Sequence, residues 1–205
     1  MFTLDTPNRW AEERSSLSRT VEAAAAMGSH LVYGTAGPAG QLTFEAATEA
    51  LAEASAPVLE HGRTLGVDIL IETTNQLRQE LNFVYNLRDL KTVSDSTGIG
   101  ICADMFHCWR EARLDQIITE IAPATRMVQL SDWTPGITSM PDRVVPGDGQ
   151  VPFARILDQF ERSGFTGIYD IELLGPRLNA EGLGAFRRAG EHLTEILTSL
   201  EATTP

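Results

Sequence analysis

Four oxygen-bearing side chains stand where apolar runs of the sequence end. Val67-Asp68-Ile69-Leu70-Ile71 leads into Glu72, and Ile99-Gly100-Ile101-Cys102-Ala103 into Asp104, with His107 three residues on. Met127-Val128 leads into Gln129, and Ile168-Tyr169-Asp170-Ile171 into Glu172. Three carboxylates and an amide oxygen make a hard donor set, suited to Mn²⁺ or Mg²⁺ before a softer ion, with Zn²⁺ or Co²⁺ as the other candidates. A single carboxylate at such a position is often only a helix N-cap or the partner of a loop salt bridge. Its recurrence at successive run ends is harder to explain that way. His107 stands at i, i+3 from Asp104, a spacing that lets both face one point. Trp109 and Trp133 follow two of these segments and offer an apolar wall for a ligand; a structural cap is the equal alternative, and Phe106 is similar. Asp68 and Asp170 alternate with the apolar positions and read as surface or cap residues. His30, His61 and His192 read as structural or solvated.

The elements that must position these residues alternate along the chain. Helical periodicity runs over Trp10 to Met27 (Leu17, Val21, Ala24 and Met27 on one stripe), and over Phe44 to Leu65, where Pro57 predicts a kink or break. It continues over Gln76 to about Ser94 through Leu77, Leu81, Val84 and Leu87, and over Arg110 to Ile121. Phe153 to Arg162 and Leu183 to Leu200 complete the helices. Between them lie short strand-like runs at Leu31 to Tyr33, Val67 to Ile71, Ile99 to Ala103, Arg126 to Leu130 and Gly167 to Leu173. A long Pro- and Gly-bearing loop spans Asp132 to Gln150. Strands alternating with helices predict an α/β fold with a parallel sheet, and nearly all-apolar strands predict burial on both faces. In a parallel barrel the strand C-termini converge on one face, where active sites are built.

The whole chain narrows the choice of partners. Its 205 residues suit one domain, 1–205, with a sizeable core. A formal net charge of −12 with no Lys/Arg cluster argues against nucleic acid and anionic membranes. Cys102 and Cys108 make no Cys-x-x-Cys pair or disulfide framework. No basic-then-apolar leader and no membrane-length apolar run is visible, so the expected location is the cytoplasm.

At these positions the sequence resembles the sugar phosphate isomerase/epimerase family of the xylose isomerase-like TIM-barrel superfamily. The matching segments are Ala-Ala-Ala-Ala-Met-Gly-Ser-His-Leu-Val (23–32), Ile-Glu-Thr (71–73), Asp-Met-Phe-His (104–107) and Val-Gln-Leu-Ser-Asp (128–132). They continue with Arg-Val-Val-Pro-Gly-Asp-Gly (143–149) and Gly-Phe-Thr-Gly-Ile-Tyr-Asp-Ile-Glu (164–172). The resemblance implies that Glu72 and Glu172 hold a metal and shuttle a proton, and that Asp104 binds the metal. It implies that His107 contacts a substrate oxygen, that Arg143 holds substrate near the metal, and that Gly147 and Gly149 form the tight loop after it. Gln129 stands where the family usually has a metal-binding histidine; its amide oxygen can still ligate, and dehydratase-type relatives can carry glutamine there. Aligned on these motifs, Leu31 to Tyr33 corresponds to the third barrel strand. The expectation is therefore a (β/α)8 barrel with strands 3 to 8 present and the first two β/α units lacking. A TIM barrel typically has about 250 residues, and an open one leaves unpaired edges. Further sequence, another chain or a homo-oligomer would have to cover them.

The implied chemistry is enediolate-type proton transfer on a sugar or sugar-like polyol or keto compound, with metal-polarised oxygens. Dehydration on the same site, of the 3-dehydroshikimate or inosose type, is the first alternative, with Gln129 as its pointer. A barrel that has lost catalysis and kept a binding or assembly role is the second. An apurinic endonuclease would need extra histidines; Gly34-Thr35-Ala36-Gly37 has none, and Val144 stands where an Asp-x-His pair would serve.

Overall fold

The computed structural model describes residues 2–137 and 141–202. It divides into two compact units, Met1–Ala103 with Ala124–Arg126, and Asp104–Pro123 with Met127–Pro205. The described residues contain five strands, each falling on one of the sequence runs, where a count from three to eight would make six.

In the first unit, α1 (Trp10–Ala26) leads to β1 (Leu31–Gly34), α2 (Phe44–Leu65) to β2 (Asp68–Glu72), and α3 (Leu87–Thr97) to β3 (Gly100–Asp104). β1 pairs parallel with β2, Leu31 opposite Asp68, and β2 parallel with β3, Glu72 opposite Cys102. Val21 and Ala24 of α1, Val58 of α2 and Val67 form one buried cluster, with Leu17, Val32 and Ile69 against it. Met27, expected on the inner stripe, is exposed, lying past the end of α1 as its C-cap; Leu65, in the last turn of α2, is exposed as well. Phe2 and Leu4 are buried, their amides bonded to the Ala36 and Pro38 carbonyls.

Pro57 does not break α2, which runs unbroken from Phe44 to Leu65. Proline has no N–H to offer the carbonyl of Glu53, four residues earlier. Arg14 of α1 supplies donors instead, Nη2 to Glu53 O at 2.9 Å and Nε to Ala54 O at 2.8 Å.

The helix expected from Gln76 is the clearest correction. Residues 73–86 are turns and coil, α3 begins at Leu87, and Leu77 is exposed. Asn82 decides this. Wholly buried, its side chain accepts from the Ala36 and Phe83 amides and donates to the Glu72 and Val84 carbonyls, which ties the segment in a non-helical path. Asn86 then caps α3 through the Asp89 amide. Apolar spacing alone could not reveal that an asparagine would outbid the helix for these backbone groups.

In the second unit, residues Met127 to Leu130 of β4 (Thr125–Leu130) pair parallel with β5 (Ile168–Ile171), Gln129 opposite Asp170. A short helix, α4 (Met105–Cys108), follows β3 directly. The helix expected from Arg110 begins only at Leu114 (α5, Leu114–Ile121), after Arg113 takes a left-handed conformation at φ 58°. α5 and α6 (Phe153–Arg162) are amphipathic neighbours, α5 burying Leu114, Ile117, Ile118 and Ile121 and α6 burying Ile156, Leu157 and Phe160. A short α7 (Pro176–Glu181), unforeseen in the sequence, precedes α8 (Leu183–Glu201). Val145, Leu173, Ala185 and Ala189 form the core beneath them.

Burial on both faces holds for β3 and β4 but not throughout. Tyr33 on β1 and Ile168 on β5 are exposed. Among the described residues no helix is long and apolar enough to cross a membrane.

Candidate metal and proton-transfer site

The second unit gathers most of the residues singled out above. Asp104 ends β3 and accepts the Phe106 amide at 3.0 Å, so it does cap α4. Its carboxylate has a second task, because Arg143 binds it with both terminal nitrogens, Nη1 to Oδ1 at 3.1 Å and Nη2 to Oδ2 at 2.8 Å. The same Nη2 lies 2.8 Å from Glu172 Oε2. Two carboxylates thus converge on one cationic nitrogen. Arg143 also donates to Ser131 Oγ at 2.9 Å, and its guanidinium lies over the Phe106 ring, 4.2 Å from the centroid. The side chains of Asp104 and Arg143 are 1% and 6% exposed, that of Glu172 17%.

This packing sets the protonation states. Burial pushes the Glu172 carboxyl up to about 7, and the Asp104 charge adds to the push while Arg143 opposes it. Near neutral pH such a group can both give and take a proton, which is what proton-transfer chemistry needs. His107 Nε2 lies 3.3 Å from Asp104 Oδ2 and 3.5 Å from Arg143 Nη2. Burial holds the imidazole below its usual range, more than the Asp104 charge can offset, and so favours the neutral ring.

Gln129 is wholly buried on β4, opposite Asp170. Asp170, set aside at the sequence level as a surface or cap residue, belongs to this cluster. Burial raises its carboxyl, the neighbouring Gln129 amide lowers it, and the Asp104 charge raises it. Its place beside Gln129 depends on strand register, which the sequence of one strand does not carry.

The loop that presents Arg143 hangs on Asp132. Its backbone exchanges two hydrogen bonds with Val144, and its carboxylate accepts the amides of Trp133, Gly147, Gly149 and Val151 at 2.8–3.0 Å. A Cβ on Gly149 would sit 2.3 Å from Asp132 Oδ1, and Gly147 stands at φ +99°, so both positions require glycine. Trp109 lies against Trp133, ring centroids 6.1 Å apart, and the Arg110 guanidinium covers both rings. Glu72 belongs to the first unit, where it ends β2 and its carbonyl accepts the Asn82 amide.

Among the described residues no three or more of His, Cys, Asp and Glu form a ready-made ion cage. The donors in the second unit still suit a hard divalent ion. Asp104 and Glu172 share one cation, and the shared position is held by the Arg143 guanidinium.

The sequence matches the xylose isomerase-like TIM barrel family over residues 1–196, and the chain belongs to that family. Its fold is accordingly of the (β/α)8 class. A xylose isomerase domain protein from Alicyclobacillus acidocaldarius superposes with a TM-score of 0.75 at 22% identity, covering 94% of this chain and 72% of its own. An L-ribulose 3-epimerase gives 0.71 at 20% identity, covering 95% and 71%. A xylose isomerase-like TIM barrel protein from Mycobacterium smegmatis, in complex with magnesium, gives 0.70 at 15% identity, covering 94% and 69%. None of the curated proteins matches the chain.

Proposed function

We propose that the protein is a divalent-metal-dependent isomerase or epimerase acting on a sugar or sugar-like polyol or keto compound in the cytoplasm. Residues 1–205 would act as one domain, in a homo-oligomer. The observation that carries the reading is the convergence of Asp104 and Glu172 on one cationic nitrogen, in a member of a family whose similar structures include a sugar epimerase and a magnesium complex. Asp104, Gln129 and Glu172 would hold Mn²⁺ or Mg²⁺, with Glu72 as the fourth ligand that the family resemblance implies. When bound, the ion supplies Lewis-acid polarisation of neighbouring substrate oxygens.

The chain's own residues supply the rest. Glu172, with its carboxyl poised near neutrality, takes the proton from the carbon beside the carbonyl in an enediolate-type transfer. Glu72 is the residue that the family resemblance implies for returning it. His107, neutral and buried, offers a ring N–H to a substrate oxygen. Arg143, released from the carboxylates, turns its donors to the substrate, and Trp109 forms an apolar wall.

The test is solvent exchange. In D2O with Mn²⁺ and a panel of ketoses, the wild-type chain is expected to incorporate deuterium beside the carbonyl, and Glu172→Gln to abolish it. Normal exchange in that variant overturns the assignment. An unsaturated product, detected by ultraviolet absorbance, assigns the site to dehydration instead.

A further inference from the structure

We propose that the cavity between α7, the loop bearing Arg143 and the start of α8 takes the far end of the substrate, and that this end is a neutral second sugar ring, not a phosphate. The inference rests on the sugar reading above, in which Arg143 holds the substrate.

The cavity measures about 420 Å³, and its described lining residues all belong to the second unit. Small-molecule sites span roughly 300–1,000 Å³. The floor is apolar, made by the buried Val145, Leu173 and Ala185. Arg143 lines the cavity while paired with Glu172, and Leu173 follows Glu172 directly. A substrate reacting at Glu172 and held by Arg143 therefore has this space open to its other end.

The charges on the wall decide what that end can be. Arg143 and Arg177 bring two positive charges, Asp148 and Glu181 two negative, and all four are ion-paired. Barrels of this class frequently hold a phosphate between the loops after the last strands and the N-terminus of a short extra helix. α7 stands in that place after β5, yet other groups already fill it. Its first residue, Pro176, has no N–H to offer. The Pro141 carbonyl crowds the approach, since a Cβ on Gly175 would sit 2.4 Å from its oxygen. The buried Asp142 carboxylate takes Arg177 Nε with both oxygens, at 3.0 and 3.1 Å. A phosphate, with a charge of about −2, would have to displace that carboxylate. Hydroxyls both donate and accept, so a sugar ring can bond to the outer edges of these ion pairs without breaking them, its apolar face on the floor.

The experiment is isothermal titration of the chain in Mn²⁺ with D-fructose, its glucoside isomaltulose, its galactoside lactulose and D-fructose 6-phosphate. One of the disaccharides is expected to bind about tenfold more tightly than fructose, the effect of one or two net hydrogen bonds, and the phosphate no more tightly. Ala180→Trp, at an exposed α7 position that lines the cavity, is expected to abolish the disaccharide's advantage. Asp142→Asn, which releases Arg177, is expected to raise the affinity for fructose 6-phosphate. Thermal midpoints show whether each variant is folded. Equal binding of fructose and both disaccharides overturns the inference, as does tightest binding of the phosphate by wild type. A disaccharide preference that survives Ala180→Trp, or a phosphate affinity unmoved by Asp142→Asn, overturns it too. Binding of none of the four by the wild-type chain overturns the sugar reading itself, an outcome distinct from these.

Discussion

Arg143→Gln should make the protein less stable without metal and a tighter binder of metal. The side chains of Arg143 and Asp104 are almost wholly buried, and that of Glu172 is 17% exposed. Removing the guanidinium leaves a buried and a partly buried carboxylate facing each other without a cation. Breaking a buried pair in this way costs about 3–5 kcal/mol. Here the lower end applies, because the Glu172 carboxyl, already pushed up to about 7, can relieve the repulsion by taking a proton. For a chain of this size, about 3 kcal/mol corresponds to a fall in thermal midpoint of roughly 6–12 °C. An entering ion no longer has to displace the guanidinium, so the same energy returns as affinity. At about 1.4 kcal/mol per tenfold, that is about 100-fold tighter Mn²⁺ binding. Turnover should nevertheless fall, since the group that holds substrate is gone. Thermal unfolding in EDTA and isothermal titration with Mn²⁺ read both quantities. A midpoint change under about 2 °C, together with unchanged Mn²⁺ affinity, would refute the claim that Arg143 occupies the cation position.

Two further outcomes follow from the packing. Because the folded-state pKa of Glu172 is raised from 4.5 to about 7, its contribution to stability is fully present below pH 4.5 and is lost as pH rises through about 7. Urea midpoints of the metal-free protein should therefore decline between pH 5 and 8 more steeply in wild type than in Glu172→Gln; His107, shifted the other way, acts in both proteins and cancels in the comparison. Arg14→Met should cost about 1.5–3 kcal/mol by urea unfolding, since it removes charged donors from two α2 carbonyls, and Pro57→Ala should recover part of the loss by restoring an N–H to Glu53 O. Equal Arg14→Met losses with and without Pro57 would contradict that account.

Much of the fold was legible because strand and helix periods differ and long amphipathic helices carry the stronger signal. Phe44–Leu65 and Phe153–Arg162 were readable to the residue, and all five strands coincide with apolar runs. Misreadings arose where side chains competed for backbone groups. Asn82 captured amides and carbonyls that an extended α3 would have needed, and Arg14 compensated for Pro57 from a distant helix. At the candidate site, residue type and position drew attention to Asp104, His107, Gln129 and Glu172, and the family resemblance drew it to Arg143. The sequence could not show that Arg143 bridges two of these carboxylates, nor that Asp132 holds the loop bearing it through four amides. Both depend on contacts between residues far apart in the chain. Asp170 was passed over because its place in an alternating strand looks the same whether its neighbour is solvent or a buried glutamine.

The central claim is that these residues form a divalent-ion site. Its most direct test is equilibrium dialysis of the purified chain against Mn²⁺, with metal content measured on wild type and on Asp104→Asn. One ion per chain in wild type and a large loss in the variant is the expected result. No bound ion in wild type, or equal loading of the two proteins, would contradict it.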